Sequence, residues 1–230
     1  MSQTRMSGRA APIEVVLFDL DGTLVDTAPD LAAAVNRQRR ERGLAELPLE
    51  ALRPYASHGA RGLIGRAFGL APGDADYEPL RQQFLDYYEQ ALCVHSRLFP
   101  GMDETLDALE RQGRRWGVVT NKIARFTGPL LAALGLAERA ACVVSGDTTA
   151  FAKPHPAPLL HALQVCGAMP ARTAYVGDDL RDVQAGRAAG MVTVVASYGY
   201  MADGSDGSAW GGDFTITQPR GLLELPGLAG

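Results

Sequence analysis

The sequence predicts an α/β fold, a doubly wound parallel sheet with an inserted helical cap domain. Two observations predict it. Short, apolar, β-branched runs of strand length alternate with longer helical segments along most of the chain, the pattern of a parallel sheet covered by helices on both faces. One stretch, from about residue 29 to residue 92, breaks the alternation and holds helical candidates without a convincing strand. It follows directly on the first strand, as an insertion into the core would.

The first strand is read over residues 13–18, which are apolar, β-branched and ended by the polar turn at 19–23. Cap helices are expected over 31–42, 49–55, 60–68 and 77–92, punctuated by Pro48, Pro54, Gly59, Pro72 and Gly73. Pro100-Gly101 marks the return to the core. A helix over 103–112 then leads to a strand over 116–120, and a helix over 125–134 stops at Gly135. A strand over 141–145, a helix over 156–166 opened by Pro156 and a strand over 173–177 follow. A helix over 179–189 stops at Gly190, and strands over 191–196 and, more weakly, 214–217 complete the pattern. The implied division is a catalytic core of 12–27 and 96–230, a helical cap of 28–95 and a flexible tail of 1–11.

Composition narrows the function. At 230 residues with 47% apolar content the chain can bury a real core. A net charge of −4 leaves no basic footprint, so nucleic acid is not an expected partner. Any anionic substrate must be drawn in by local charge. No run approaches the ~20 apolar residues of a membrane span, and the apolar run at 15–18 is too short for a signal peptide. Cys93, Cys142 and Cys166 form no CxxC pair and read as small hydrophobes in a reducing compartment, so a cytoplasmic protein is expected.

The chemistry gathers at strand ends. Asp19-Leu20-Asp21-Gly22-Thr23 sits at the C-terminal end of the first strand, where open α/β sheets bind ligands. Two carboxylates spaced by two in an extended segment face the same crevice, and a divalent cation offsets their repulsion and desolvation. Asp178, just past another buried strand in Gly177-Asp178-Asp179-Leu180-Arg181-Asp182, is a natural third oxygen ligand, and few hard oxygen ligands suit Mg²⁺. Asp179 and Asp182 also fit a helix N-terminus, which favours negative charge. Thr120-Asn121 ends the second core strand before a helix, where a hydroxyl and backbone N–H groups can hold phosphate oxygens or simply cap the helix. Lys153-Pro154 follows the third core strand, and its ammonium can neutralise phosphate and neighbouring carboxylates.

In order and placement, Asp19-x-Asp21-Gly22-Thr23, Thr120, Lys153 and Gly177-Asp178-Asp179 resemble the four motifs of the haloacid-dehalogenase superfamily. The resemblance implies a HAD-like Rossmannoid core and a phosphatase acting on a small phosphorylated metabolite. It implies that Asp19 attacks phosphorus and becomes an aspartyl phosphate, and that Asp21 protonates the leaving oxygen and then activates water. The pKa of Asp21 is expected to be raised by a crowded acidic site. Mg²⁺ is implied on the Asp19 carboxylate, the Asp21 backbone carbonyl and Asp178, with Thr120 and Lys153 stabilising phosphoryl charge. An acid at Asp21 favours phosphatases and the related sugar-phosphate mutases over dehalogenases. Receiver-type signalling switches share Asp, Thr and Lys but lack the cap and the Asp-x-Asp-Gly-Thr strand end.

Thr120-Asn121-Lys122 and 153–159 look like the phosphoglycolate phosphatase branch. The stretches 59–61, 93–99, 116–122, 177–182, 198–200 and Trp210-Gly211 look closer still to bacterial N-acetylmuramic acid 6-phosphate phosphatases of cell-wall recycling, with departures at Ile123 and over 145–151. Both candidate substrates carry a carboxylate besides the phosphate, which a cation would recognise. Arg61 is the first candidate and Arg125 a second, with Asn121 and Asp179 as further substrate contacts. His58 reads as an ordinary loop histidine. Tyr198 and Trp210 read as anchors of a C-terminal loop in the core in preference to sugar platforms.

Overall fold

The computed structural model describes residues 12–201 and 207–229. The tail expected over 1–11 lies outside the described residues. Among them, β1 (Val15–Phe18), β4 (Arg115–Val119), β5 (Val143–Val144), β6 (Thr173–Gly177), β7 (Val192–Ala196) and β8 (Phe214–Ile216) form one parallel sheet. The strand order is β5-β4-β1-β6-β7-β8. Phe18 of β1 lies level with Val118 and Val176 of its two neighbours, so the chain emerges from three adjacent strands at one height. The order reverses around β1, the place where open α/β sheets form their ligand crevice.

β1 shows why this sheet is buried on both faces. Val15 and Leu17 join one cluster, with Leu159, Leu163 and Ala185 of α7 (Ala157–Cys166) and α8 (Leu180–Ala188). Val16 and Phe18 join the other, with Leu106 and Leu109 of α5 (Met102–Arg111). Alternate side chains of one extended strand thus feed two opposite cores. α6 (Ala124–Ala133) contributes Phe126, Leu130 and Leu131 to the second cluster.

Between β1 and α5 lie α1 (Ala28–Glu41), α2 (Leu49–Leu52), α3 (Gly59–Phe68) and α4 (Tyr77–Gln90). α1 packs on α3 and α4. The helix expected over 49–55 stops early, because Pro54 has no N–H to continue it, and a 3-10 helix over Arg53–His58 takes its place. The strand expected over 141–145 shrinks to Val143–Val144, where the chain turns so that the Ser145 N–H donates to Thr148 Oγ1 at 2.9 Å. One ribbon has no counterpart in the sequence pattern: β2 (Val25–Asp26) pairs antiparallel with β3 (Arg97–Leu98) where the chain leaves for and returns from α1–α4. No helix among the described residues is long and apolar enough to cross a membrane.

Asp30 closes this junction. Its carboxylate is buried and accepts from Ser96 N at 2.8 Å, Ser96 Oγ at 2.7 Å and His95 N at 2.9 Å. Removing it strands buried donors, each costing about 1–3 kcal/mol. Asp30→Ala should therefore lower stability by about 2–4 kcal/mol, or a Tm fall of roughly 5–12 °C at this chain length. Thermal unfolding followed by circular dichroism checks this, and an unchanged Tm would show the junction to be held by packing alone.

Candidate active site

Asp19 leaves β1 buried beneath a cavity of about 300 Å³. Its Oδ1 accepts from Leu20 N at 2.7 Å and pairs with Lys153 Nζ at 2.8 Å. Gly22 permits the turn that follows. Its φ is +86°, and a Cβ there would sit 2.2 Å from Asp178 Oδ2. Asp21 is only partly buried, and its carboxylate turns to Lys122 Nζ, at 2.8 and 3.1 Å, and to the Thr27 hydroxyl.

Lys153 reaches in from the loop between β5 and α7. Its ammonium meets Asp19, Asp182 Oδ1 at 2.8 Å, the Tyr175 hydroxyl at 2.8 Å and the Val119 carbonyl at 3.1 Å. Burial alone would favour the neutral amine, but the Asp182 and Asp19 carboxylates outweigh it and raise the pKa, so the group is an ammonium. Asn121 braces the loop: its Nδ2 donates to the Lys153 carbonyl at 3.0 Å and its Oδ1 accepts from Lys153 N at 2.9 Å. Asn121, expected as a substrate contact, lines the cavity while its side chain braces this loop. Thr120, buried at the end of β4, has its Oγ1 accepting from Lys122 N at 3.1 Å.

Asp178 accepts from Thr23 Oγ1 at 2.8 Å and Tyr200 N at 2.8 Å, with Ser57 Oγ at 3.4 Å. Burial, then the charges of Asp19 and Asp182, push its pKa well up despite these donors. Burial likewise carries Asp19 to about 7, against the pull of Lys153. One carboxylate oxygen from each of Asp19, Asp178 and Asp182 lies within 4.8 Å of the others. Asp182 is satisfied, by Lys153 and by the Asp179 N–H at 3.1 Å, where it completes the N-terminal cap of α8. Ionising Asp19 and Asp178 together would put more negative charge here than the single ammonium balances. Buried hard oxygens with surplus negative charge fit a divalent cation of the magnesium type. The acidic crowding expected around Asp21 thus falls on Asp19, Asp178 and Asp182, while Asp21 contacts a lysine.

The remaining candidates separate. Asp179 lines the cavity, caps α8 and forks with Arg181 at 2.8 and 2.7 Å. Arg125 is exposed and bound by Glu89 at 2.8 Å and by Asp86, which removes it as a substrate cation. His58 stands 3.8 Å from Asp179 Oδ2. Arg61 lines the cavity and makes no ion pair or side-chain hydrogen bond among the described residues. Arg81, Phe84 and Tyr88 of α4 line it too. Tyr198 donates to the Thr23 carbonyl at 3.1 Å and packs edge-on against Phe99, in keeping with a core anchor. Lys122 and Tyr200 were given no role by sequence reasoning. Lys122 stood in the Thr120-Asn121-Lys122 motif, but its partner lies 101 residues away.

Comparison with known proteins agrees with this geometry. The family described as haloacid dehalogenase-like hydrolase matches residues 16–196. The chain is 43% identical over 213 residues, 93% of its length and 94% of the relative's, to an N-acetylmuramic acid 6-phosphate phosphatase of Pseudomonas aeruginosa. It is 44% identical over 209 residues, 91% of its length and 94% of the relative's, to a phosphoglycolate phosphatase of Xanthomonas campestris pv. campestris. A crystal structure of a predicted phosphoglycolate phosphatase from Haemophilus somnus 129pt superposes with a TM-score of 0.81 at 30% identity, covering 92% of this chain and 97% of that one. The chain belongs to the haloacid dehalogenase-like hydrolase family and is a phosphatase of that family.

Proposed function

We propose that this phosphatase hydrolyses N-acetylmuramic acid 6-phosphate in cell-wall recycling, through an aspartyl-phosphate intermediate and with Mg²⁺. The observation that carries the reading is the buried Asp19 carboxylate on the cavity floor, oriented by the Lys153 ammonium at 2.8 Å. Asp19 attacks phosphorus as the bond to the leaving oxygen breaks, and a proton on Asp21 passes to that oxygen. A water then attacks the phosphorus, gives its proton to Asp21 and frees Asp19. Thr120 and Lys153 face the equatorial phosphoryl oxygens, where fixed donors matter most. Asp19, Asp178 and the Asp21 carbonyl would hold Mg²⁺, which supplies counter-charge to the carboxylates and the phosphoryl group.

The cavity supports the choice of ester. At about 300 Å³ it reaches the roughly 300–1,000 Å³ range of small-molecule sites, more than a two-carbon acid requires. Its lining combines aromatic surface with Arg61, unpaired among the described residues, a match for a sugar bearing a carboxylate. Relatives named for either substrate are equally similar, so identity does not choose between them. In this reading α1–α4 form a cap over 28–95, on a core of 12–27 and 96–230. The enzyme works in the cytoplasm, where its three free thiols stay reduced.

A phosphate-release panel tests the function. It pairs N-acetylmuramic acid 6-phosphate with phosphoglycolate, glucose 6-phosphate and N-acetylglucosamine 6-phosphate, in Mg²⁺ and in chelator. The muramic acid ester should dominate, and Asp19→Asn should lose about 10³-fold or more in turnover. Arg61→Ala should raise KM for that ester about tenfold with little change in kcat, the worth of one charged hydrogen bond. Preference for phosphoglycolate would overturn the substrate, an isomer in place of phosphate would indicate a mutase, and silence on every ester would sink the phosphatase mechanism.

The metal reading has its own test. In chelator, Asp178→Asn should change Tm by no more than about 1–2 °C, because burial and the neighbouring carboxylates already favour the neutral form of Asp178. Added Mg²⁺ should raise the Tm of the wild type and leave the variant unmoved. An equal rise in both would mean that Asp178 does not hold the ion.

A further inference from the structure

Tyr200 is buried, lies outside the cavity lining, and touches both halves of the site. Its backbone N–H donates to Asp178 Oδ2 at 2.8 Å. Its phenol oxygen accepts from Thr27 N at 2.6 Å and Ala28 N at 2.8 Å, and donates to Asp26 Oδ1 at 2.8 Å. Arg53 lies over the Tyr200 ring, 5.6 Å from its centre, and pairs with the same Asp26 at 2.7 Å. The loop is pressed against the acidic cluster: a Cβ on Gly199 would sit 2.3 Å from Asp178 Cβ.

The backbone hydrogen-bond accounting at the start of α1 explains what the phenol does. A helix begins with N–H groups that lack intrahelical partners, and an N-cap threonine ordinarily covers one with its own hydroxyl. Thr27 is the N-cap of α1, yet its side chain makes no capping bond. That hydroxyl donates to Asp21 Oδ1 instead. The Tyr200 phenol, 173 residues away, accepts from the N–H groups of Thr27 itself and of Ala28, neither of which the Thr27 hydroxyl could cover. It thereby holds the backbone that carries the Thr27 hydroxyl to Asp21.

We propose that Tyr200 is a positioning residue for the acid/base carboxylate: by holding the Thr27 and Ala28 N–H groups, it fixes the Thr27 hydroxyl against Asp21. The inference rests on the proposed role of Asp21. Tyr200→Phe keeps the ring and the N–H to Asp178 but releases both backbone groups, and Thr27 is then no longer fixed against Asp21. Thr27→Val removes the hydroxyl directly. Both variants should orient Asp21 poorly, most visibly in hydrolysis of the phosphoenzyme.

The test uses p-nitrophenyl phosphate, whose leaving group departs without a proton donor, in stopped-flow with Mg²⁺. Each variant should show a burst of p-nitrophenolate near one equivalent per site, then a steady state about tenfold below wild type with KM within about twofold. The double variant should be no worse than either single one. Amide exchange over residues 24–31 should quicken in Tyr200→Phe and stay put in Thr27→Val. Turnover and burst unchanged in Tyr200→Phe, or losses that add in the double variant, would overturn the inference and leave Tyr200 a helix cap only. A wild type that releases no p-nitrophenolate would overturn the phosphatase mechanism and this inference with it, an outcome distinct from a working wild type beside an unaffected Tyr200→Phe.

Discussion

Lys153 buries an ammonium with a side chain only 2% exposed, and it does so between Asp19 and Asp182. Each partner comes from a different element: Asp19 from β1, Asp182 from α8, the Val119 carbonyl from β4 and the lysine itself from the loop after β5. A buried charge of this kind persists only when it is fully paired, since losing one partner strands the rest at about 3–5 kcal/mol. The same contact therefore orients the Asp19 carboxylate, seats the N-terminus of α8 and registers strand ends against one another. Asn121, by gripping the Lys153 backbone, transfers that registration to the loop that carries Thr120.

Around that pair the site holds more negative charge than the fold would choose. Asp178 is buried beside Asp19 and Asp182, and its protonated form is favoured well above the usual carboxylate range. Donors from Thr23 and Tyr200 soften the cost without cancelling it. Stability is given up here for a place where counter-charge and a phosphoryl group are both welcome, a common arrangement at sites that must bind ions. Gly22 belongs to the same arrangement, because any side chain there would collide with Asp178.

α1–α4 are coupled to this centre by hydrogen bonds as well as by packing, since one apolar cluster holds Leu31, Val35 and Tyr88 together with Val16, Phe18 and Phe126. Asp30 ties the first turn of α1 to the returning chain at His95 and Ser96. Thr27 ties the helix start to Asp21, and Arg53 ties the 3-10 helix to Asp26. The cavity is lined from both sides of this junction, by the strand-end carboxylates and by Arg61 and the aromatic residues of α4.

The fold class was legible in the sequence, because parallel strands buried on both faces read as short β-branched runs and their crossovers as helices. The local pattern also set Asp19, Thr120 and Asp178 directly past buried strands, where the structure has them, with Asp21 and Lys153 in the loops that follow. Strand ends decided by edge geometry were less so, as the shortening at Val143–Val144 shows. The β2–β3 ribbon escaped notice because two-residue strands carry no periodicity. What only the tertiary structure decided is which polar groups meet: Lys122 with Asp21, Asp182 with Lys153, Tyr200 with Thr27, Asn121 with Lys153 and Asp179 with Arg181. Secondary structure follows from neighbours a few residues apart, whereas these contacts join residues up to 173 positions apart. Such contacts exist only once the sheet has placed its strand ends side by side.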